Sequence, residues 1–214
     1  MTESEFVALA KSGDTDAVRA ALDAEPGLAN AKDEGASALL WSVYYGHPTV
    51  GRIIADARGS MDVFEAAALG DQHALENVDA DHINSHAPDG FTALGLAAYF
   101  GHTEVVKQLL AKGADPTIPS KNPLGAIPLH SALSNGHKEI ARILLESGQT
   151  ALQVNCPNKE GWFPLHYTAH SGDWETSDFL LMHGASTSQV NNIGETPAME
   201  ARKFGFDHLA DILE

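Results

Sequence analysis

Glycine recurs in this chain at a single interval. Gly35 and Gly46, Gly59 and Gly70, Gly90 and Gly101, Gly125 and Gly136, Gly161 and Gly172, and Gly194 and Gly205 each stand eleven residues apart. With only 19 glycines in 214 residues, six such pairs are a period, not an accident. Gly13 is the second member of a seventh pair whose first member would fall near residue 1. A period of this kind means stacked units, each too small to bury its own apolar face. The first Gly of a pair suits a turn needing positive φ, and the second suits the left-handed cap that ends a helix. Between them, Thr92 and Thr196 stand where an N-cap hydroxyl is needed. Pro128, Pro164 and Pro197 stand at the first helical position, where a missing N–H costs nothing. After the second Gly, apolar residues follow at helical spacing, as in Val105, Val106, Leu109 and Leu110, or Ile140, Ile143, Leu144 and Leu145. The unit is therefore turn, helix, turn, helix, loop.

The segment Gly90-Phe91-Thr92-Ala93-Leu94 through Gly101-His102-Thr103-Glu104-Val105-Val106 resembles the ankyrin repeat. Ile127-Pro128-Leu129-His130 through Asn135-Gly136-His137 resembles it as well, and so does Phe163-Pro164-Leu165-His166 through Ser171-Gly172-Asp173. The resemblance covers essentially the whole chain, and a compact stand-alone chain of this sort is similar to bacterial examples. It implies an all-α solenoid of about seven helix-turn-helix units with short β-turn fingers. The units fall approximately at 1–32, 33–56, 57–87, 88–121, 122–157, 158–190 and 191–214, forming one domain. It further implies a concave face, lined by fingers and first helices, that binds a partner protein. Polar residues at both ends (Glu3, Glu5, Asp14, Asp16 and Arg19; Lys203, Asp207, Asp211 and Glu214) fit capping units of a complete solenoid.

Irregularities in the period predict irregularities in the stack. The second glycines are spaced 33, 24, 31, 35, 36 and 33 residues apart. The value of 24 leaves hardly any loop before Gly59-Ser60-Met61-Asp62, so the third unit should have a truncated finger and leave a notch in the row. Units five and six carry extra residues at Pro119–Pro123 and Gln149–Gln153. The family's signature His, which the resemblance implies ties neighbouring turns together, occurs at His130 and His166. Spacing puts Leu40, Phe64, Gly95 and Met199 at the matching positions.

Composition narrows the function classes. Thirteen Lys and Arg against 29 Asp and Glu give a net charge of −16, which opposes nucleic acid and anionic membranes and steers in basic partners. No apolar run approaches the roughly 20 residues of a membrane span, and the acidic N-terminus lacks the basic start of a secretory signal. One cysteine, Cys156, permits no intrachain disulfide, which fits a reducing, cytoplasmic location. The expected state is a monomer. His166 and His170 stand four apart, as do His82 and His86, but no Glu follows the first His as in zincins, so no metal is expected. No phosphate loop, dinucleotide fingerprint or G-x-S-x-G occurs, and neither an enzyme nor a cofactor is expected.

What remains is a surface. The two positions before each second Gly should face the groove, and they include Tyr44, Tyr45, Leu69, Tyr99, Phe100 and His170. Finger positions add Phe91 and Trp162. Tyr44, Tyr45, Leu69, Phe91, Tyr99 and Phe100 form the expected contiguous strip of units two to four, and Trp162 and His170 complete the expected partner-binding residues, since aromatics dominate interface hot spots. Trp41 and Trp174 read as packing residues. The expected function is recognition of another protein, with basic proteins electrostatically favoured, as adaptor or inhibitor. The alternative is a small enzyme or ligand-binding protein with a site in the notch near units two to four, drawing on Asp62, Glu65 and His86.

Overall fold

The structure, a computed structural model, describes residues 1–76, 78 and 82–214. Six helical hairpins follow the glycine ruler: α1 (Glu3–Ser12) with α2 (Thr15–Ala24), α3 (Ala38–Tyr44) with α4 (Pro48–Arg58), and α6 (Ala93–Phe100) with α7 (Thr103–Ala111). Then come α8 (Pro128–Ser134) with α9 (Lys138–Glu146), α11 (Pro164–Ser171) with α12 (Trp174–Met182), and α13 (Pro197–Lys203) with α14 (Asp207–Leu213). The expected caps are in place: the hydroxyls of Thr92 and Thr196 accept from the N–H groups of Gly95 and Met199. The remaining helices are α5 (Val63–Leu69) and α10 (Thr150–Val154).

First helices pack in unbroken succession, α1 on α3, α3 on α5, α5 on α6, α6 on α8, α8 on α11 and α11 on α13. Each junction is pinned. His102 Nε2 donates to the Ala68 carbonyl at 2.8 Å, and His137 Nε2 to the Tyr99 carbonyl at 3.1 Å. Their rings lie over the previous unit's capping glycine, so a Cβ on Gly70 or Gly101 would come within 2.6 Å of an imidazole atom. These glycines supply room as well as positive φ. The signature histidines work at the other end of the helix. His130 Nδ1 accepts from the Ile127 N–H while its Nε2 donates to the Cys156 carbonyl at 2.9 Å. His166 repeats the pattern with Phe163 N–H and the Glu195 carbonyl.

The third unit departs from expectation in two ways. Its finger is absent, as the spacing of 24 predicts, since only Ser60 and Met61 separate the cap Gly59 from the N-cap Asp62. Yet no notch opens in the finger row. Finger four closes the gap directly onto unit two: a Cβ on Gly35 would lie 3.1 Å from the Pro88 Cβ, and the Tyr44 hydroxyl donates to Asp89 at 2.6 Å. The second departure is that α5 has no hairpin partner among the described residues. Turns occupy 72–76, anchored by the Asp71 carboxylate accepting from the Ala74 N–H, and Leu75 plugs the core. Only Leu75, Val78 and Ile83 are large apolar residues between Gly70 and Pro88, too sparse for an amphipathic stripe. The hollow is therefore on the second-helix side, in a depression of about 500 Å³ between α4 and these turns.

Fingers elsewhere are short hairpin turns. β1 (Lys32–Asp33) pairs antiparallel with β2 (Ala36–Ser37) across Glu34-Gly35, both with positive φ, as a primed two-residue turn requires. Fingers four to seven hydrogen-bond in a row, through Lys121 N–H to Gly90 O, Lys159 N–H to Leu124 O, and Asn192 N–H to Glu160 O, at 2.8 to 3.1 Å. The extra residues at Gln149–Gln153 form most of α10, held by Gln153 donating to the Leu144 and Gly148 carbonyls.

Candidate recognition surface

The eight expected partner-binding residues are sorted by the structure into three kinds. Leu69 is core: it is 7% exposed and packs with Leu40, Val43 and Ile54. Its place before the C-cap does not bring it to the surface, because its side chain packs against α4 beside Gly51. Tyr44 and Phe100 are half-buried and pack against both apolar clusters of the molecule. The Tyr44 phenol is held by Asp89, and burial together with that carboxylate pushes its pKa well up. Tyr45 and Tyr99 are 56% and 36% exposed. Phe91 and Trp162 are half-buried finger residues, and His170 is exposed.

These rings fall into two chains. Tyr99 contacts Tyr44, Phe100 and Phe91 at centroid distances of 6.5, 5.1 and 6.3 Å, and Trp41 extends the chain to Tyr45 at 6.3 Å. Trp162 contacts Tyr167 at 5.2 Å and His170 at 5.6 Å, and His170 meets Phe204 at 4.1 Å. Between the chains lies a cleft of about 280 Å³, with Phe91 and Tyr99 on one side and Trp162 and Tyr167 on the other. Leu124 and Ser134 also line it, and Glu160 stands at its margin. Sequence reasoning missed Tyr167, Leu124 and Glu160. Tyr167 follows the signature His as Ser131 follows His130, a slot that gave no reason to expect a wall. Burial, with Glu160 nearby, pushes the Tyr167 phenol up to about 12, and Asn158 Nδ2 donates to it at 3.0 Å. Tyr167 therefore enters the cleft as a neutral ring.

Trp41 is a packing residue as expected: its indole N–H donates to the Asp33 carbonyl, with Lys11 Nζ 3.8 Å from the ring centroid. Trp174 is not, being 64% exposed on the first turn of α12. Nor is the last unit wrapped in polar side chains, since Ile193, Met199 and Ile212 are each more than half exposed.

The groups considered for reactive chemistry are engaged structurally. Glu65 sits where units five and six place the signature His, a position that spacing assigns to Phe64. Its carboxylate accepts from the Asp62 N–H, as the imidazoles do, and also from Ser37 and the Arg58 guanidinium. Asp62 caps α5, and His86 Nε2 donates to the Pro119 carbonyl. His166 has both ring nitrogens occupied, and no group of three or more His, Cys, Asp and Glu with metal-binding geometry occurs among the described residues. No described helix is long and apolar enough to cross a membrane.

A row of capped helical hairpins with linked turn fingers and a surface aromatic cleft defines a solenoid repeat protein. Models of the ankyrin repeat match residues 63–153 (three copies) and 129–181 (many copies), together more than half of the chain. The chain belongs to the ankyrin-repeat family. Among its relatives, ankyrin repeat-containing protein ITN1 of Arabidopsis thaliana is 34% identical over 51% of this chain and 18% of its own length. Calmodulin-binding transcription activator 3 of Arabidopsis thaliana is 36% identical over 51% of this chain and 12% of its own. Protein phosphatase 1 regulatory subunit 12A of Mus musculus is 38% identical over 38% and 9%. The chain thus spans less than a fifth of the length of each of these relatives. Ankyrin repeats are protein–protein interaction modules, typically without enzymatic activity of their own.

Proposed function

We propose that this chain is a monomeric, cytoplasmic recognition module that binds a partner protein, with basic partners favoured, and serves as an adaptor or inhibitor. The observation that carries the reading is the pair of aromatic chains flanking one cleft across the first-helix row, with Tyr45, Tyr99 and Trp162 reachable by a ligand. Exposed rings lose water at little conformational cost and anchor interfaces at about 2 kcal/mol or more each. The net charge of −16 adds steering more than affinity. That a phosphatase regulatory subunit and a transcription activator carry related segments is in keeping with either role.

The test is affinity capture with purified wild type and a Tyr45→Ala/Tyr99→Ala/Trp162→Ala variant, at low and moderate salt. Phe100 and Tyr44 are spared because they hold the fold together. Proteins retained by wild type and lost by the variant, increasingly so at moderate salt, support the reading. Retention of the same set by both forms places the interaction surface elsewhere on the solenoid.

A further inference from the structure

We infer that the cleft between fingers four, five and six receives an arginine side chain from an extended segment of the partner, an assignment that rests on the recognition role proposed above. Four aromatic rings, Phe91, Tyr99, Trp162 and Tyr167, bound the cleft. Trp162 and Tyr167 meet edge-on at 65°, and Phe91 and Tyr99 at 43°, so the rings lining the cleft do not share one plane. The face of an aromatic ring is its negative side and attracts a cation within about 6 Å of the centroid. One carboxylate completes the cage. Glu160 is exposed, and its side chain makes no ion pair or hydrogen bond among the described residues. Its backbone is nevertheless fixed, through its N–H to Asn158 Oδ1 and its carbonyl from the Asn192 N–H. No cation is paired with it among the described residues, whereas Asp33, Glu195 and Glu200 beside the aromatic chains have Lys or His partners.

Guanidinium fits this cage in a way an apolar side chain does not. Its plane stacks on a ring while its edge presents a donor fork to a carboxylate. The volume of about 280 Å³ is at the small end for ligand clefts, and it suits one long side chain rather than a cofactor. The Trp162 indole N–H has no acceptor among the described residues and stands free to receive a backbone carbonyl of the bound segment. Net charge supplies the same sign preference at long range.

The probe is acetyl-Gly-Gly-Arg-Gly-Gly-amide, titrated into the full chain while the indole N–H resonances are followed by NMR, with Trp174 as the reporter outside the cleft. Peptides with citrulline, norleucine or trimethyl-lysine in place of arginine are titrated in parallel. Arginine is expected to shift Trp162 saturably and to bind about fivefold or more tighter than citrulline or norleucine. Glu160→Gln, an exposed substitution that leaves the fold intact, should weaken arginine and leave norleucine unchanged. Norleucine binding as tightly as arginine overturns the cation assignment while leaving an apolar docking cleft. Trimethyl-lysine binding more tightly replaces guanidinium with a quaternary ammonium and overturns it as well. Silence of Trp162 toward all four peptides removes the cleft as an anchor, and the capture experiment then judges the broader reading on its own.

Discussion

At the scale of single residues, glycine carries two separable duties, and the histidines distinguish them. Gly101 and Gly136 both end first helices with positive φ, at 82° and 70°. A Cβ on Gly101 strikes the His137 ring, while one on Gly136 meets nothing within 4 Å. Gly136→Ala should therefore cost only the left-handed backbone term, about 1–2 kcal/mol. Gly101→Ala should cost more, about 3 kcal/mol, because the ring must move and the His137 bond to the Tyr99 carbonyl is lost. Urea unfolding of both variants measures this, and equal losses would show that the ring yields freely. His130 gives the chain a pH dependence of known sign. Burial lowers its pKa from 6.5 to about 4, because the desolvated ring resists a charge more than the Cys156 carbonyl favours one. Between these values the unfolded chain binds the extra proton, so the contribution is complete above pH 6.5 and lost as pH falls through about 4. Its size is on the order of 3 kcal/mol. His130→Gln should flatten the stability profile between pH 7 and 4.5 by an amount of this order, and parallel profiles would refute the assignment.

At the scale of elements, α5 shows what replaces a finger. Glu65 stands in the signature-His position, reaching back to Ser37 and Arg58 of unit two, where the imidazoles of His130 and His166 reach forward to the next unit. The pair is nearly buried, with side-chain exposures of 2% for Glu65 and 15% for Arg58. Removing one partner, as in Glu65→Ala, should cost about 3–5 kcal/mol by stranding the guanidinium. Glu65→Leu with Arg58→Leu should recover much of that loss, and thermal unfolding of the single and double variants decides between a stranded charge and simple loss of packing. This substitution was hidden in the sequence because an offset of one residue moves the signature position from Phe64 to Glu65, and spacing cannot see where a helix starts. The glycine period revealed the six hairpins, the caps and the absent finger, since each rests on local rules of φ and capping. It could not reveal that Pro88 would close the gap, or that Tyr167 and Glu160 would border a cleft with Phe91, because those meetings depend on how units rotate over one another. Of the expected residues, Tyr45, Tyr99 and His170 were legible as exposed, and Trp162 as a finger residue that is half-buried. Leu69, Tyr44 and Phe100 were not legible as structural, since a groove position and a seam position read alike along the chain.

For the whole molecule, the seam is the consequence that matters most. The apolar interior is two clusters, one running from Phe6 to Leu69 and the other from Val63 to Leu213, with α5 contributing Ala68 and Leu69 to the first and Val63, Ala66 and Ala67 to the second. Because the third unit lacks a second helix among the described residues, α4 meets α5 and the turns after it instead, through the Arg58–Glu65 and Arg52–Asp71 pairs. Tyr44 and Phe100, 5.4 Å apart and each touching both clusters, add an apolar bridge there. A solenoid unfolds as one unit only while nearest-neighbour interfaces outweigh differences between segments. Weakening this interface should therefore split the transition. Phe100→Ala is expected to cost about 3 kcal/mol, the low end for losing a Phe ring, since Phe100 is only half-buried. The first two units should then melt at lower urea than the last four. Tryptophans report each side separately, with Trp41 in the first cluster's territory and Trp162 and Trp174 in the second's. Fluorescence of Trp162→Phe/Trp174→Phe and of Trp41→Phe backgrounds should give coincident transitions with Phe100 intact and separated ones with Phe100→Ala. Coincidence in both cases would mean that α5 alone couples the halves, and that the aromatic chain is free to serve binding.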